Sequence, residues 1–214
     1  MIRFITFEGG DGSGKTTQLN LLAKYLSRRG RGYLCTREPG ATKLGKMIRR
    51  VLLEAGDEKI ASETELFLYL ADRAQHVCEI IRPALAAGQI VLCDRFTDST
   101  VAYQGYGRGV DLRVLGDLNR IASGGLTPDL TFFLDCAPEL GLARTAERMA
   151  AQRPGERRED RFEREAAEFH ARVRKGFQEL ARSDGARIRL LDASRSAEDL
   201  HEEIRSIVEA GLDR

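Results

Sequence analysis

The chain has no tryptophan and only four cysteines and three histidines among its 214 residues. So little cysteine excludes a disulfide-stapled secreted framework. Cys35, Cys78, Cys93 and Cys136 lie far apart with no CxxC pair, and they read as buried, reduced thiols of a cytosolic protein. His76, His170 and His201 stand without metal-ligand spacing, and each reads as a surface or helix residue. Neither sign of charge dominates: Lys and Arg total 34 against 33 Asp and Glu, a net of +1. Binders of nucleic acid or of membrane surfaces carry a basic excess, so this balance argues against both as partners. Long apolar runs are missing too. The longest charge-free apolar stretch, Pro83–Cys93, is eleven residues, where a membrane helix needs about 18 or more. Met1-Ile2-Arg3-Phe4 runs straight into a strand pattern, so no targeting segment is expected and a cytoplasmic location is.

What is present reads as a folded globular chain, with 42% hydrophobic and 31% charged residues. Its length suits a single domain over residues 1–214, with at most a small insertion. Short β-branched and aromatic runs alternate with longer amphipathic stretches. Strands are expected over Ile2–Glu8, Gly32–Arg37, Gln89–Asp94, Leu130–Asp135 and Arg187–Asp192. Helices are expected over Lys15–Arg28, Thr42–Glu54, Glu63–Ala87, Phe96–Tyr106, Leu112–Ser123, Pro138–Met149, Phe162–Arg182 and Ala197–Ala210. Short apolar strands flanked by helices are the signature of a parallel sheet covered on both faces, an α/β class. One segment breaks the pattern. Residues 144–164 hold seven arginines against five acids, with Pro154-Gly155 as a central turn signal. Composition alone allows a solvated, salt-bridged hairpin or an arginine-bearing flap over an anionic ligand.

The strongest signal is Gly9-Gly10-Asp11-Gly12-Ser13-Gly14-Lys15-Thr16, which matches G-x-x-x-x-G-K-[ST] between a strand and a helix. Its glycines let backbone N–H groups turn toward phosphate oxygens. The helix N-terminus that follows, which begins Lys15-Thr16-Thr17, adds partial positive charge. Lys15 reaches β- and γ-phosphates in such loops, and the Thr16 hydroxyl holds Mg²⁺. No guanine-reading N-K-x-D string occurs. The apolar run Ile90–Cys93 ends in Asp94-Arg95 rather than in the Asp-Glu pair of motor ATPases. Asp94 is placed to hold Mg²⁺ through water, and Arg95 to grip a second anionic substrate.

These residues resemble the thymidylate kinases of the bacterial kind. The likeness runs from Phe7-Glu8-Gly9 through the glycine loop to Thr36-Arg37-Glu38-Pro39-Gly40. It continues with Asp94-Arg95-Phe96, Ser99, Ala102-Tyr103-Gln104-Gly105, Thr127-Pro128-Asp129 and Asp160-Arg161-Phe162-Glu163. The resemblance implies a P-loop nucleotide-kinase sandwich of five parallel strands with a small helical lid. It implies transfer of the γ-phosphoryl of MgATP to dTMP, giving dTDP, with ATP, dTMP and Mg²⁺ as partners and a homodimer as the assembly. Tyr69 and Arg73, four apart on one helix face, would stack on and hydrogen-bond the pyrimidine; the family's usual Phe is Tyr69 here. Thr100 and Gln104 would surround the base, and Tyr103 would close off the 2′ side of the sugar. Asp11 would sit beside the 3′-hydroxyl, and Arg49 and Arg95 would hold the monophosphate, oriented by Glu38.

Some relatives carry an arginine directly after the acidic residue of the glycine loop, where this chain has Gly12. The resemblance therefore implies that the transferring phosphoryl takes its positive charge from the lid. Arg153 and Arg148 are the leading candidates, Arg144 is expected against the adenine, and an arginine at position 12 is expected to restore activity in part. Two alternatives stay open on sequence: another P-loop kinase acting on a different nucleoside or nucleotide, and a non-catalytic nucleotide-binding switch. The second would need no second-substrate residues, against which Arg95 and the lid arginines count.

Overall fold

Five parallel strands form one sheet in the order β2-β3-β1-β4-β5: Phe4–Glu8 (β1), Tyr33–Arg37 (β2), Ile90–Asp94 (β3), Leu130–Asp135 (β4) and Ile188–Asp192 (β5). The computed structural model describes residues 2–53, 60–151, 161–162 and 165–212, without the side chains of 148 and 149. Expected strand boundaries hold to within two residues. The central strand β1 is buried along its whole length, whereas every residue of edge strand β2 is half-buried or exposed and edge strand β5 buries only Ile188 and Leu191.

On one face, Ile5, Phe7, Leu92, Phe132 and Leu134 pack against helices Lys15–Arg28 (α1) and Ala197–Leu212 (α9) through Leu19, Leu22, Ile204 and Val208. On the other, Phe4, Val91 and Cys93 meet Val77, Ile81 and Phe96, while Phe133 packs with Phe169, Val173 and Phe177 of helix Ala167–Ser183 (α8). Alternating residues of one strand thus serve opposite cores. In the parallel register Phe7 and Arg37 both stand opposite Asp94, so the ends of three strands and the loops after them meet at one edge.

Three helical expectations change. Glu63–Ala87 is one rod but not one α-helix: Ser62–His76 (α3) passes into a π-helical turn over Val77–Ile81 and then Arg82–Ala86 (α4). Pro83 lacks the N–H that would bond one turn back, and the wider turn before it absorbs the mismatch. Phe96–Tyr106 divides into Thr97–Thr100 (α5) and a second π-helical turn, Val101–Gly107. Helix α8 begins at Ala167; Phe162 lies ahead of it, buried against Tyr103 and Phe169.

Helices Lys43–Leu53 (α2), Leu112–Ala122 (α6) and Pro138–Ala150 (α7) fall close to expectation. Two thiols depart from it. Cys93 and Cys136 are buried, but Cys35 lies exposed on an edge strand and Cys78 exposed on the π-turn. His76 is a helix residue, as expected, and is fully buried at the end of α3.

Candidate active site

The glycine loop joins β1 to α1 beneath the carboxyl edge of the sheet. Gly9, Gly12 and Gly14 hold φ of +139°, +71° and +93°, a region L side chains avoid. Close packing adds a second reason. A β-carbon on Gly9 would lie 2.6 Å from the Leu134 carbonyl oxygen, and one on Gly12 would lie 2.0 Å from that of Gly141 in α7. The expected rescue by arginine at position 12 therefore meets a backbone wall, because α7 occupies the space the side chain would need.

The loop's lysine turns inward. Lys15 Nζ donates to the carbonyls of Gly9 (3.2 Å) and Gly10 (2.7 Å) and to Ser13 Oγ (3.5 Å). Burial, helped by the Arg95 charge, lowers its pKa to about 8. Thr16 Oγ1 donates to Asp94 Oδ2 at 2.5 Å. Among the described residues no group of three His, Cys, Asp or Glu is placed to cage a metal. One hydroxyl and one half-exposed carboxylate instead suit a Mg²⁺ ion that keeps several waters and is shared with phosphate oxygens.

Beside the loop opens a solvent-connected cleft, and every residue expected to meet the acceptor lines it. Arg95 is its pivot. With φ of +69° it is the one non-glycine residue in the left-handed region among the described residues. Its N–H donates to the Phe7 carbonyl at 3.0 Å, pinning the turn to β1. Its guanidinium donates to Gly9 O (2.9 Å), Ser99 Oγ (3.2 Å), Asp11 Oδ1 (2.7 Å) and Tyr103 Oη (3.2 Å), and lies 5.0 Å over the Tyr103 ring. Burial pushes the Asp11 carboxyl up, but Arg95 and Lys15 outweigh it and hold its pKa below the ordinary value.

Arg73 is 2% exposed. It donates to Glu38 Oε2 (2.9 Å), Thr100 Oγ1 (2.9 Å), Asn119 Oδ1 (2.6 Å) and the Phe96 carbonyl (2.9 Å). Four of its five N–H groups are so engaged, and the residue lines the cleft. Glu38 serves Arg73 and His76 Nδ1 (2.8 Å) rather than Arg49 and Arg95 as expected. Its turn faces α3, and Arg49 Nη1 donates instead to the Pro39 carbonyl (2.9 Å). Burial and the neighbouring Glu65 charge keep the Tyr69 hydroxyl neutral far above its usual range. Arg144 Nη1 donates to the Ala193 carbonyl after β5 (3.1 Å). Arg153, the side chain of Arg148 and most of segment 144–164 lie outside the described residues.

Several buried polar residues of the site carry no role in the sequence reading. Glu8 accepts from Phe96 N (2.7 Å) and meets Ser99 Oγ (2.5 Å); burial and the charge of Asp98 push its pKa up to about 8. Arg187 grips Asp98 with two bonds of 2.7 and 2.9 Å, fixing α5 to the sheet. Asn119 reaches Arg73 from α6, and Glu65 meets Gln104. The four-residue spacing of Glu65, Tyr69 and Arg73 on α3 was a usable signal for the last of these.

The thymidylate kinase family model matches residues 7–204. The chain belongs to the thymidylate kinase family. A thymidylate kinase of Desulfovibrio desulfuricans is 51% identical over 99% of this chain and 97% of its own length. One from Gloeobacter violaceus is 52% identical over 98% and 96%. The crystal structure of thymidylate kinase from Ehrlichia chaffeensis matches with a TM-score of 0.76 and 34% identity, covering 97% of this chain and 98% of that one. The five-stranded parallel α/β sandwich is thus the fold of a P-loop kinase family, and the chain is a phosphotransferase.

Proposed function

We propose that the glycine loop takes ATP and the adjoining cleft takes dTMP. As a thymidylate kinase, the enzyme transfers the γ-phosphoryl of ATP to dTMP and yields dTDP. The observation that carries the site assignment is Arg95, whose guanidinium touches the loop carbonyl of Gly9 and the cleft residues Asp11, Ser99 and Tyr103 together. One cation at that junction holds an acceptor phosphate next to the donor loop. The attacking phosphate oxygen is already ionised near neutral pH, so the reaction needs positioning and charge neutralisation rather than a general base.

In this reading the residues divide the work. Lys15 leaves its own loop carbonyls for the β- and γ-phosphate oxygens, and Gly9, Gly10, Asp11, Gly12, Ser13 and Gly14 wrap the polyphosphate, with Thr16 and Thr17 at the helix start. Arg95 and Arg49 orient the acceptor phosphate, Asp11 and Tyr103 face the sugar, and Tyr69, Arg73, Thr100 and Gln104 face the base. Thr16 and Asp94 would hold Mg²⁺, which when bound supplies positive charge to the phosphate oxygens. Arg153 or Arg148 brings the remaining charge from a lid over residues 144–164.

We also assign a homodimer and a cytoplasmic location. Exposed Met47 and Val51 on α2, Phe67 on α3 and Val114 and Ile121 on α6 offer an apolar face. No helix among the described residues is long and apolar enough to cross a membrane. The test of the acceptor is ADP release with dTMP, dUMP, ribosyl TMP, dCMP and AMP side by side. Preferential turnover of dTMP is expected; equal or faster turnover of another monophosphate would displace the base-pocket assignment.

A further inference from the structure

A buried carboxylate lies at the back of the acceptor cleft, outside the loop and outside the set of residues that meet the base. Glu65 of α3 is 0% exposed. Its Oε1 accepts from Gln104 Nε2 at 2.9 Å and from Arg108 Nε at 3.3 Å. Its Oε2 accepts from Arg108 Nη2 at 3.2 Å and from Arg161 Nη2 in a short contact. Two carboxylate oxygens offer about four lone-pair directions, and these four donors fill them.

The donors come from different places. Gln104 lies on the second π-helical turn and lines the cleft. Arg108 follows that turn, and it also pairs with Glu165 at 2.6 Å. Arg161 precedes Phe162 and donates in addition to the Leu52 carbonyl of α2 at 3.0 Å. Phe162 itself lines the cleft. The guanidinium carbons of Arg161 and Arg108 lie 5.2 Å and 5.7 Å from its ring centroid, and the ring meets that of Tyr103 edge-on at 5.5 Å.

We propose that Glu65 is a positioning residue for the acceptor: a single buried carboxylate sets the rotamer of Gln104 and, through Arg161, seats Phe162 against Tyr103 as a wall of the same cleft. This rests on the reading of the cleft as the dTMP site. Glu65 touches no substrate in it and acts through its donors. A carboxylate that only balanced the charge of two arginines would hold the fold together, but it would not need the cleft amide as a third partner. Gln104 has its amide nitrogen committed to Glu65 and so presents its carbonyl oxygen elsewhere, which fixes which end of the amide the cleft receives. Glu65 thereby sets whether position 104 offers the base an acceptor or a donor.

Glu65→Gln keeps the shape but turns one oxygen into an N–H donor that opposes the donors already there. The expected result is a KM for dTMP raised about tenfold, with the KM for ATP within about twofold and kcat within about threefold, since binding of the acceptor rather than the transfer step is disturbed. Gln104→Ala should do the same, and the double variant should be no worse than the poorer single one, because the two residues act as a unit. Where Glu65→Gln fails to fold, Arg161→Gln leaves Gln104 and Arg108 on Glu65 and tests the Phe162 half by the same kinetics. A folded Glu65→Gln enzyme with a lowered Tm but an unchanged KM for dTMP overturns the proposal, as does full additivity with Gln104→Ala. Arg95→Lys is the control for the cleft itself. If it raises the KM for dTMP and Glu65→Gln does not, the proposal alone fails; if neither moves it, the acceptor site lies elsewhere.

Discussion

Lys15 and Arg73 show how much a residue's duty depends on what already surrounds it. Lys15 is buried, its ammonium is held by loop carbonyls, and its pKa is lowered to about 8. A bound polyphosphate raises that pKa again, so near pH 8 the complex holds more protons than the free enzyme. ATP affinity is therefore expected to fall as pH rises from about 7 to 9. Calorimetry in buffers of different ionisation enthalpy should find proton uptake on binding at pH 8, and Lys15→Ala should abolish that uptake and lower kcat by about 10²–10³. Absence of uptake in the wild-type protein would mean that Lys15 stays charged throughout. Arg73 poses the opposite case. The i, i+4 spacing put it on one helix face with Tyr69, and the resemblance expected it at the base, but spacing along one helix says nothing of Glu38, Thr100 and Asn119, which reach it from other elements. Arg73→Ala leaves the buried Glu38 carboxylate short of its partner. We expect a loss of stability of about 3–5 kcal/mol alongside the higher KM for dTMP, read by denaturant unfolding and steady-state kinetics. A stability within about 1 kcal/mol of wild type would show that the buried network rearranges without cost.

At the scale of elements, the strands and the glycine loop were readable because each follows a short-range rule: an apolar run of fixed length, or a spacing of glycines before Lys15. The two π-helical turns were not readable, since Val77–Ile81 and Val101–Gly107 keep helical periodicity and differ only in which carbonyl each N–H finds. The position of α7 was equally hidden. It packs its Gly141 against Gly12, and no local pattern relates residues so far apart. That contact sets a prediction. Gly12→Ala should lower stability by about 1–3 kcal/mol through overpacking and weaken ATP binding, and Gly12→Arg should be worse and should not rescue a lid-arginine variant. Thermal unfolding together with ATP titration checks both; a stable, active Gly12→Arg enzyme would show that α7 yields easily. With position 12 closed to a side chain, the arginines of the proposed lid are the candidates for that charge. Arg153→Ala or Arg148→Ala is expected to lower kcat by at least about 10²-fold with the dissociation constant for dTMP little changed. Single-residue kinetics decide this, and losses below about threefold in every lid variant would return the role to Arg95 and Mg²⁺.

Across the whole molecule, the sheet order places β1 and β3 side by side at the centre, so the glycine loop after β1 and the Arg95 turn after β3 leave the same edge as neighbours. On the outside, α2, α3 and α6 each carry exposed apolar side chains. Phe67 is 59% exposed, and Phe67→Asp is expected to convert a dimer to monomers, as light scattering across a concentration series would register. A wild-type chain that scatters as a monomer at every concentration would remove the homodimer. One consequence of the central pairing remains. Because Arg95 is bonded at once to Gly9 of the glycine loop and to Asp11 and Tyr103 of the cleft, under the proposed assignment neither substrate arrives without altering the ground the other will meet. Order of addition then becomes a question of linkage rather than of access. Whatever factor a non-hydrolysable ATP analogue applies to the affinity for dTMP, dTMP must return to the analogue in equal measure, and the size of that factor is a reading of how tightly a single guanidinium ties two sites into one.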